Sequence, residues 1–279
     1  MLDSILDALL DSLRLVPFLF LTYLLMELLE HKLSGRTLTA IHKAGQYGPA
    51  IGGLLGIVPQ CGFSAAVANL YAGGVVTRGT LIAVFLSTSD EMLPIFLSEN
   101  VGTAFILKVV AVKAAAAILV GFAVDWISRQ KPRASAIHDI CLHEHCGCKQ
   151  GILRSALMHT LQIFIFIFLL SAAMNVVIGF IGPESLSNLI LNQPIVGELL
   201  AAVVGLIPNC ASSVVITQLY LQGGMRAGAM LSGLLVSSGV GLLILFRMHH
   251  NLRDNLLTLA ILFISGVALG SLLGLLPIF

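Results

Sequence analysis

The sequence predicts an all-α integral membrane protein made of two inverted structural repeats, each with three membrane spans and a broken or re-entrant helical hairpin. Three observations support this prediction. Hydrophobic residues make up 57% of the 279 residues and charged residues only 10%, and the mean hydropathy is +0.98, which is typical of chains whose solvent is lipid. The pattern Pro-x-Cys occurs twice, 149 residues apart (208 − 59). Basic residues lie in loops that are not equivalent in the two copies.

Six apolar stretches are long enough to cross a bilayer, which requires about 20 residues. They cover residues 12–30, 79–97, 103–127, 156–180, 228–246 and 254–278. Two further stretches, residues 48–73 and 195–222, carry a proline at their centre, and each arm is too short to cross alone. An interior proline removes a backbone donor and clashes with the preceding turn. These two stretches are therefore predicted to form broken helices or re-entrant hairpins.

The two Pro-x-Cys patterns belong to a longer repeat with the same offset. Identical residues on either side of them include Gly56, Ser64, Tyr71, Gly79 and Leu86, which match Gly205, Ser213, Tyr220, Gly228 and Leu235. A repeat with helix-breaking polar centres is typical of transporters that bind their substrate between the two copies. We assign residues 1–127 to the first repeat, 128–152 to a cytoplasmic Cys/His-rich loop and 153–279 to the second repeat.

The distribution of basic residues predicts how the repeats are oriented. Lys32 and Arg36 follow the first span, whereas the equivalent residues 181–194 include no Lys or Arg. Conversely, residues 98–100 include no basic residue, whereas residues 247–253 are basic. Because cytoplasmic loops are enriched in Lys and Arg, equivalent loops lie on opposite faces and the repeat is inverted. The protein is expected to be integral to the cell membrane, in a prokaryote the inner membrane. In this topology both termini lie on the outer side and the central loop on the cytoplasmic side.

The polar residues at the two breaks form the candidate substrate site. A broken helix frees carbonyls and amides inside the membrane, where side-chain thiols, amides and hydroxyls would complete a polar cage. In the alternative interpretation, the cysteines are small packing residues and the prolines only bend helices. Thiols and amides favour a soft solute over a hard cation such as magnesium. The candidate residues are Pro59, Gln60, Cys61, Ser64, Pro208, Asn209, Cys210, Ser212 and Ser213, with Ser89 and Ser238 from the spans that follow.

An acidic pair lies within the apolar span at residues 79–97. Asp90 and Glu91 have no charged equivalents in the second copy. Carboxylates inside a span are costly and usually mark a proton relay, so this pair is predicted to couple transport to protons. Lys108 and Lys113 of the next span are its possible partners. Alternatively, both carboxylates face water at the end of the helix. In that case the coupling group is expected to be His159, Glu198 or Lys113.

The central loop concentrates thiols and imidazoles in a short segment. These donors are the ligand types of zinc, copper and other thiophilic ions, so the loop is predicted to bind such a metal, zinc for example. The spacing matches no standard zinc module, which leaves the identity of the metal open. The alternative is an unstructured linker with adventitious metal affinity. The candidate ligands are Cys141, His143, His145, Cys146 and Cys148.

Four segments resemble the ten-helix heavy-metal exporter family, whose members carry the labels arsenic efflux and manganese transporter. They are residues 56–64, 87–94, 141–148 and 205–213. The resemblance extends over nearly the whole chain, and a more distant one links it to arsenical permeases. It implies export of a heavy metal or metalloid. Its ten helical segments agree with six spans plus four hairpin arms.

The sequence therefore predicts a secondary transporter that exports a thiophilic heavy metal or metalloid in exchange for protons. A permease for a small sulfur-containing or polar anion is the alternative within transport, because hairpin-arm N-termini present positive dipole ends. A membrane thiol oxidoreductase is the alternative of another class, although the chain has no Cys-x-x-Cys pair.

Neither enzymatic activity nor a cofactor for transport is expected. The chain lacks the Gly-x-x-x-x-Gly-Lys-Ser/Thr motif of ATP-hydrolysing proteins. Its net charge of +1 argues against a nucleic-acid partner. The expected partners are membrane lipid and the metal or metalloid ion, and a homo-oligomer is compatible with the sequence.

Overall fold

The regular structure of the described residues is entirely α-helical, with no strand among them. The computed structural model describes residues 47–58, 61–88, 92–128, 195–208 and 210–275, together with residue 45 and single positions within 16–24 and 157–169. For Cys61, Cys210 and Ala211 it describes the backbone alone. The predicted all-α class is confirmed for this part of the chain.

The first half contributes five described helices. They are α1 (Gly48–Leu55), α2 (Cys61–Ala72), α3 (Arg78–Ser87), α4 (Met92–Ser98) and α5 (Thr103–Ser128). Pro49 lies in the first turn of α1, where its missing N–H removes no helical hydrogen bond. Thr77 is the N-cap of α3, because its hydroxyl accepts a hydrogen bond from the amide of Thr80.

The second half repeats this arrangement. Its described helices are α6 (Val196–Gly205), α7 (Cys210–Leu221), α8 (Ala227–Val236), α9 (Gly241–Met248) and α10 (Leu252–Gly274). Helices α7 and α8 begin and end 149 residues after α2 and α3, which is the offset of the sequence repeat. The duplication therefore extends to the helix bounds. The inverted orientation stays a prediction, because helix bounds do not define how each half sits in a membrane.

Both Pro-x-Cys stretches are interrupted between their arms. Helix α1 ends at Leu55 and α2 begins at Cys61, while α6 ends at Gly205 and α7 begins at Cys210. The four arms are 8 to 12 residues long, which is too short for any one of them to cross a bilayer. Pairing of the arms as re-entrant hairpins stays a prediction.

Four helical segments within the described residues are long and apolar enough to cross a membrane. Two are the continuous helices α5 and α10. The other two are the pair α3 and α4, covering Arg78–Ser98, and the pair α8 and α9, covering Ala227–Met248. These four correspond to predicted spans, and the predicted spans at 12–30 and 156–180 lie mostly outside the described residues.

The span formed by α8 and α9 and the one formed by α3 and α4 each contain a break that apolar length alone did not predict. Helix α3 ends at Ser87, and the hydroxyls of Ser87 and Thr88 donate to the carbonyl of Val84, at 3.1 and 2.6 Å. Such side-chain bonds compete with continuation of the helix. The equivalent break follows Ser237, and Gly239 there has a φ of 54°, which glycine adopts without strain.

At the interface between the halves, one helix of each half packs against a helix of the other half. Helix α2 of the first half packs against α9 of the second, and α7 of the second half packs against α4 of the first. Each contact is the centre of a hydrophobic core built from both halves. One core includes Phe85 and Leu245, and the other includes Phe96 and Ile216.

Candidate functional site

The four helix breaks lie close together in the interior. In the second half, the hydroxyls of Ser212, in the first turn of α7, and Ser237, the C-cap of α8, are 3.4 Å apart. Ser64, in the first turn of α2, packs on Gly241 of α9, since a Cβ placed on Gly241 would be 2.8 Å from the Ser64 Cβ. In the first half, Gly56 packs against Ser87 in the same way. The breaks of both halves therefore border one central region.

Lys113 of α5 joins the two halves at this centre. Its Nζ donates hydrogen bonds to the carbonyl of Thr88, at 2.5 Å, and to the carbonyl of Leu234, at 2.9 Å. Thr88 is the C-cap of α3 and Leu234 lies in the last turn of α8. The ammonium therefore lies at two helix C-termini, where unpaired carbonyls create a negative potential. These contacts offset part of the cost of burying a charge in a side chain that is 1% exposed.

The opposite ends of α3 and α8 each lie near a carboxylate. Asp125 of α5 accepts hydrogen bonds from the amide of Gly79, at 2.8 Å, and from the hydroxyl of Thr77, at 2.7 Å. In the second half the carboxylate is that of Glu198 on α6, because a Cβ on Gly228 would be 2.8 Å from its Oε1. Acidic groups at the N-termini and an ammonium at the C-termini both complement the helix macrodipoles.

The described hydroxyls of the predicted substrate site are buried at the breaks. Ser64, Ser212, Ser213 and Ser238 are each at most 2% exposed. Within the part of the chain that the structure describes, the Ser238 hydroxyl has no hydrogen-bond partner. Pro208 is half-buried in the bend before α7. A buried hydroxyl of this kind is suited to bind a polar solute or a water molecule.

Other predicted site residues lie outside the described residues. They are Pro59, Gln60, Ser89, Asp90, Glu91 and Asn209, and the loop ligands Cys141, His143, His145, Cys146 and Cys148. Cys61 and Cys210 are the first residues of α2 and α7, with their side chains outside the description. Among the described residues, no group of three or more His, Cys, Asp or Glu side chains is placed to hold a metal ion. The roles of all these residues stay predictions.

The sequence identified Lys113 but not its two backbone acceptors, and the pairing with Asp90 or Glu91 stays a prediction because both carboxylates lie outside the described residues. The described contacts of Lys113 are with backbone carbonyls. The bond to Leu234 joins residues 121 positions apart, and no local pattern signals it. The end of α3 at Ser87, by contrast, could have been predicted. The polar residues 87–91 interrupt an apolar span and indicate a helix end. Of the other predicted coupling groups, Glu198 is 6% exposed, and His159 lies outside the described residues.

Apolar helices of membrane-spanning length around a buried, charged and hydroxyl-rich centre define a polytopic α-helical membrane protein. The chain belongs to the family described as "Putative, 10TM heavy-metal exporter", whose model matches residues 1–194. The matched range holds the first repeat, the central loop and the beginning of the second repeat. It confirms the resemblance drawn from the sequence motifs. No curated protein and no solved structure is significantly similar to the chain.

Proposed function

We propose that this protein is a secondary transporter that exports a thiophilic heavy metal or metalloid in exchange for protons. The observation that carries the proposal is the buried ammonium of Lys113, which contacts broken helices of both halves at one centre. A charge held between two repeats is typical of a transport path in which the repeats move relative to each other. The family description, a heavy-metal exporter, supports the substrate class.

The substrate site is proposed at the two Pro-x-Cys breaks. Cys61 and Cys210 would supply thiols, Gln60 and Asn209 amides, and the buried serines at the breaks would supply hydroxyls. Support comes from the convergence of the described hydroxyls, above all the 3.4 Å approach of Ser212 to Ser237. Thiolate donors select soft ions and metalloids over magnesium or calcium.

The Lys113 ammonium at the centre favours some charge states of the substrate over others. A divalent cation about 6 Å from an ammonium is repelled by roughly 5 kcal/mol at an effective dielectric constant of about 20. A bare cation beside Lys113 would therefore need compensating carboxylates. A neutral metalloid hydroxide needs none, and this favours the metalloid within the proposed substrate class.

Proton coupling is proposed at Asp90 and Glu91. They follow Thr88, whose carbonyl binds Lys113, by two and three residues. Because consecutive Cα atoms are 3.8 Å apart, the Asp90 Cα is within about 8 Å of the Thr88 Cα in any conformation. A carboxylate in the segment that directly follows an ammonium-binding carbonyl could exchange a proton when the substrate binds or leaves.

The central loop is proposed as a separate metal-binding element. Its thiols and imidazoles, from Cys141 to Cys148, could hold zinc or another thiophilic ion on the cytoplasmic side, where thiols stay reduced. This position is suited to sensing or delivering metal.

A permease for a small polar or sulfur-containing anion is a second candidate, favoured by one specific observation. The ammonium of Lys113 attracts an anion directly, as do the N-termini of α2 and α7 at the same centre.

Uptake into everted membrane vesicles tests both candidates. Vesicles with and without the protein would be offered arsenite, zinc, manganese or thiosulfate, with and without an imposed pH gradient. We expect the protein to add uptake of arsenite or of a thiophilic metal, and the gradient to increase it. Uptake of thiosulfate alone would establish the second candidate. Failure to transport any of the four would contradict both.

A further inference from the structure

We propose that two contacts between the halves, one ionic and one aromatic, at corresponding ends of α2 and α7, are the gates of the transport path. This inference rests on the proposed transport function. The contacts lie where α2 packs on the second half and where α7 packs on the first half. They lie at corresponding places in the repeat, but the residue pairs and their chemistry differ.

The ionic contact joins Arg78 of the first half to Asp254 of the second. The Arg78 guanidinium Nη2 lies 3.0 Å from Oδ1 of Asp254, and its Nε donates to the hydroxyl of Tyr71 at 3.3 Å. Arg78 is 4% exposed. The Asp254 side chain is 35% exposed, so the pair joins a buried guanidinium to a carboxylate that water already reaches. Such a contact can separate when water hydrates the guanidinium as well.

His249 and Asn255 hold the second-half side of this contact in place. The Asn255 amide donates to the carbonyl of His249 at 2.8 Å, and its oxygen is 2.7 Å from His249 Nδ1. The His249 ring packs 5.3 Å from the ring of Tyr71 across the interface between the halves. The loop and the first turn of α10 therefore form one unit against the end of α2.

The aromatic contact stands at the equivalent place in the other copy. Tyr71 is equivalent to Tyr220 and Asp254 to Phe105, both at the 149-residue offset. The rings of Phe105 and Tyr220 are stacked, 5.9 Å apart and 7° from parallel. Phe96 packs edge-on against Phe105 at 5.8 Å. Arg78 has no charged equivalent, because Ala227 stands there, so this contact excludes ions by apolar bulk.

Helix length places both contacts far from the central breaks. Tyr71 lies ten residues after Cys61, and Tyr220 ten residues after Cys210. At 1.5 Å per residue each contact is about 15 Å along its helix from the break. This is about half of the roughly 30 Å hydrocarbon thickness of a bilayer. With the breaks near the midplane, each contact lies near a membrane surface.

The proposed inverted topology assigns the two contacts to opposite faces. The basic loop at residues 247–253 immediately precedes Asp254, so the ionic contact is assigned to the cytoplasmic side. The turn at residues 98–100 precedes Phe105, and the aromatic contact is assigned to the outer side. Both contacts are formed in this structure.

Labelling of one central cysteine tests the gates without measuring transport. Ser64→Cys would be introduced into a variant whose five native cysteines are replaced by alanine, and its reaction with an impermeant thiol reagent measured in right-side-out and in everted vesicles. Because Asp254 is partly exposed, loss of this pair is expected to change the opening equilibrium by at most about 1 kcal/mol, or roughly fivefold. We expect Arg78→Ala to accelerate labelling up to about fivefold, and from the cytoplasmic face only.

The aromatic gate is tested in the same background. Phe105→Ala is expected to accelerate labelling from the outer face only. The exchange variant Arg78→Asp with Asp254→Arg should return cytoplasmic labelling to the slow rate. Arg226→Ala and Phe122→Ala are matched controls at exposed positions and should change neither rate. Arg78→Lys and Phe105→Leu replace either alanine variant that is not monodisperse on gel filtration.

Two results would overturn the gate proposal. The first is acceleration from the same face by both variants, and the second is unchanged labelling from both faces in well-folded variants. A different result would contradict only the proposed substrate class. If labelling changes as expected while everted vesicles take up none of the four solutes, the gates stand and the proposed substrate class is wrong.

Discussion

Lys113 in the first repeat donates a hydrogen bond to the carbonyl of Leu234 in the second repeat, at 2.9 Å. The same ammonium binds the carbonyl of Thr88 in its own repeat. The residue equivalent to Lys113 is Leu262, which is fully buried. The second repeat therefore has no equivalent of this bridge between the C-terminal ends of α3 and α8. Its charge comes from the first repeat alone. This asymmetry is shared by Asp90 and Glu91, which also occur only in the first repeat.

Replacement of this ammonium is predicted to affect both stability and transport. In Lys113→Met the carbonyls of Thr88 and Leu234 lose a donor inside the protein, at a cost of about 1–3 kcal/mol per unsatisfied group. We expect a lower Tm in detergent and at least about a tenfold loss of vesicle uptake. Lys108→Met, on the exposed side of the same helix, should change neither. Wild-type uptake by Lys113→Met would remove the bridge from the mechanism.

Asp90 and Glu91, which follow Thr88 in the chain, are predicted to couple transport to protons. Asp90→Asn and Glu91→Gln keep the size of each side chain and remove its titrating group. We expect uptake that no longer responds to the pH gradient, while the substrate still protects the protein against thermal unfolding. Glu99→Gln, at an exposed helix end, is the control. An unchanged pH response in both variants would show that the carboxylates are a solvated helix end, and Glu198 would then be the next candidate.

The thiols at the breaks are predicted to bind the substrate. Cys61→Ala and Cys210→Ala should each reduce uptake about tenfold or more, because soft ions lose a preferred ligand. Expression should not change, since helix packing contributes more to folding than either thiol. Normal uptake by the double variant would contradict thiol ligation. Gln60→Leu and Asn209→Leu should still fail in that case, because amide contacts to the substrate would be lost.

Close packing of α6 on α8 is predicted to be intolerant of a single methyl group. A Cβ on Gly205 would collide with the carbonyl oxygen of Gly233 and lie 3.1 Å from its carbonyl carbon. Backbone atoms cannot move aside cheaply, so Gly205→Ala should destabilise the protein by about 1–3 kcal/mol. Gly102→Ala is the matched control, because no atom of the described residues lies within 4 Å of its added Cβ. Equal Tm values for the two variants would contradict the packing.

The central loop is predicted to bind metal without being part of the membrane path. Replacing Cys141, Cys146 and Cys148 by Ser should lower zinc binding to the purified protein, because thiolates are the preferred zinc ligands. Maximal uptake should stay near that of the wild type, since the loop is remote from the breaks in the chain. Complete loss of uptake by a stably expressed variant would make the loop an obligatory step. Unchanged zinc binding would identify it as a linker.

Several properties of this protein are local in the chain, and the sequence alone determined them. Residence in a membrane follows from composition, and the duplication follows from identities held at one offset. The interruptions before Cys61 and Cys210 follow from prolines, which act on the turn that contains them. The spans that became α5 and α10 were also predicted, because their apolar length needs no partner to be recognised.

Tertiary structure decided the features that join residues distant in the chain. Apolar length predicted one uninterrupted span where α3 ends at Ser87. Whether the side-chain hydrogen bonds of Ser87 and Thr88 end the helix depends on the packing around them, which the sequence does not show. No local pattern in the sequence predicted that α2 and α7 pack on the opposite halves, or that carbonyls accept hydrogen bonds from Lys113. A buried ammonium must find acceptors wherever packing brings them, and the carbonyl of Leu234 is brought there only by the contact of two halves.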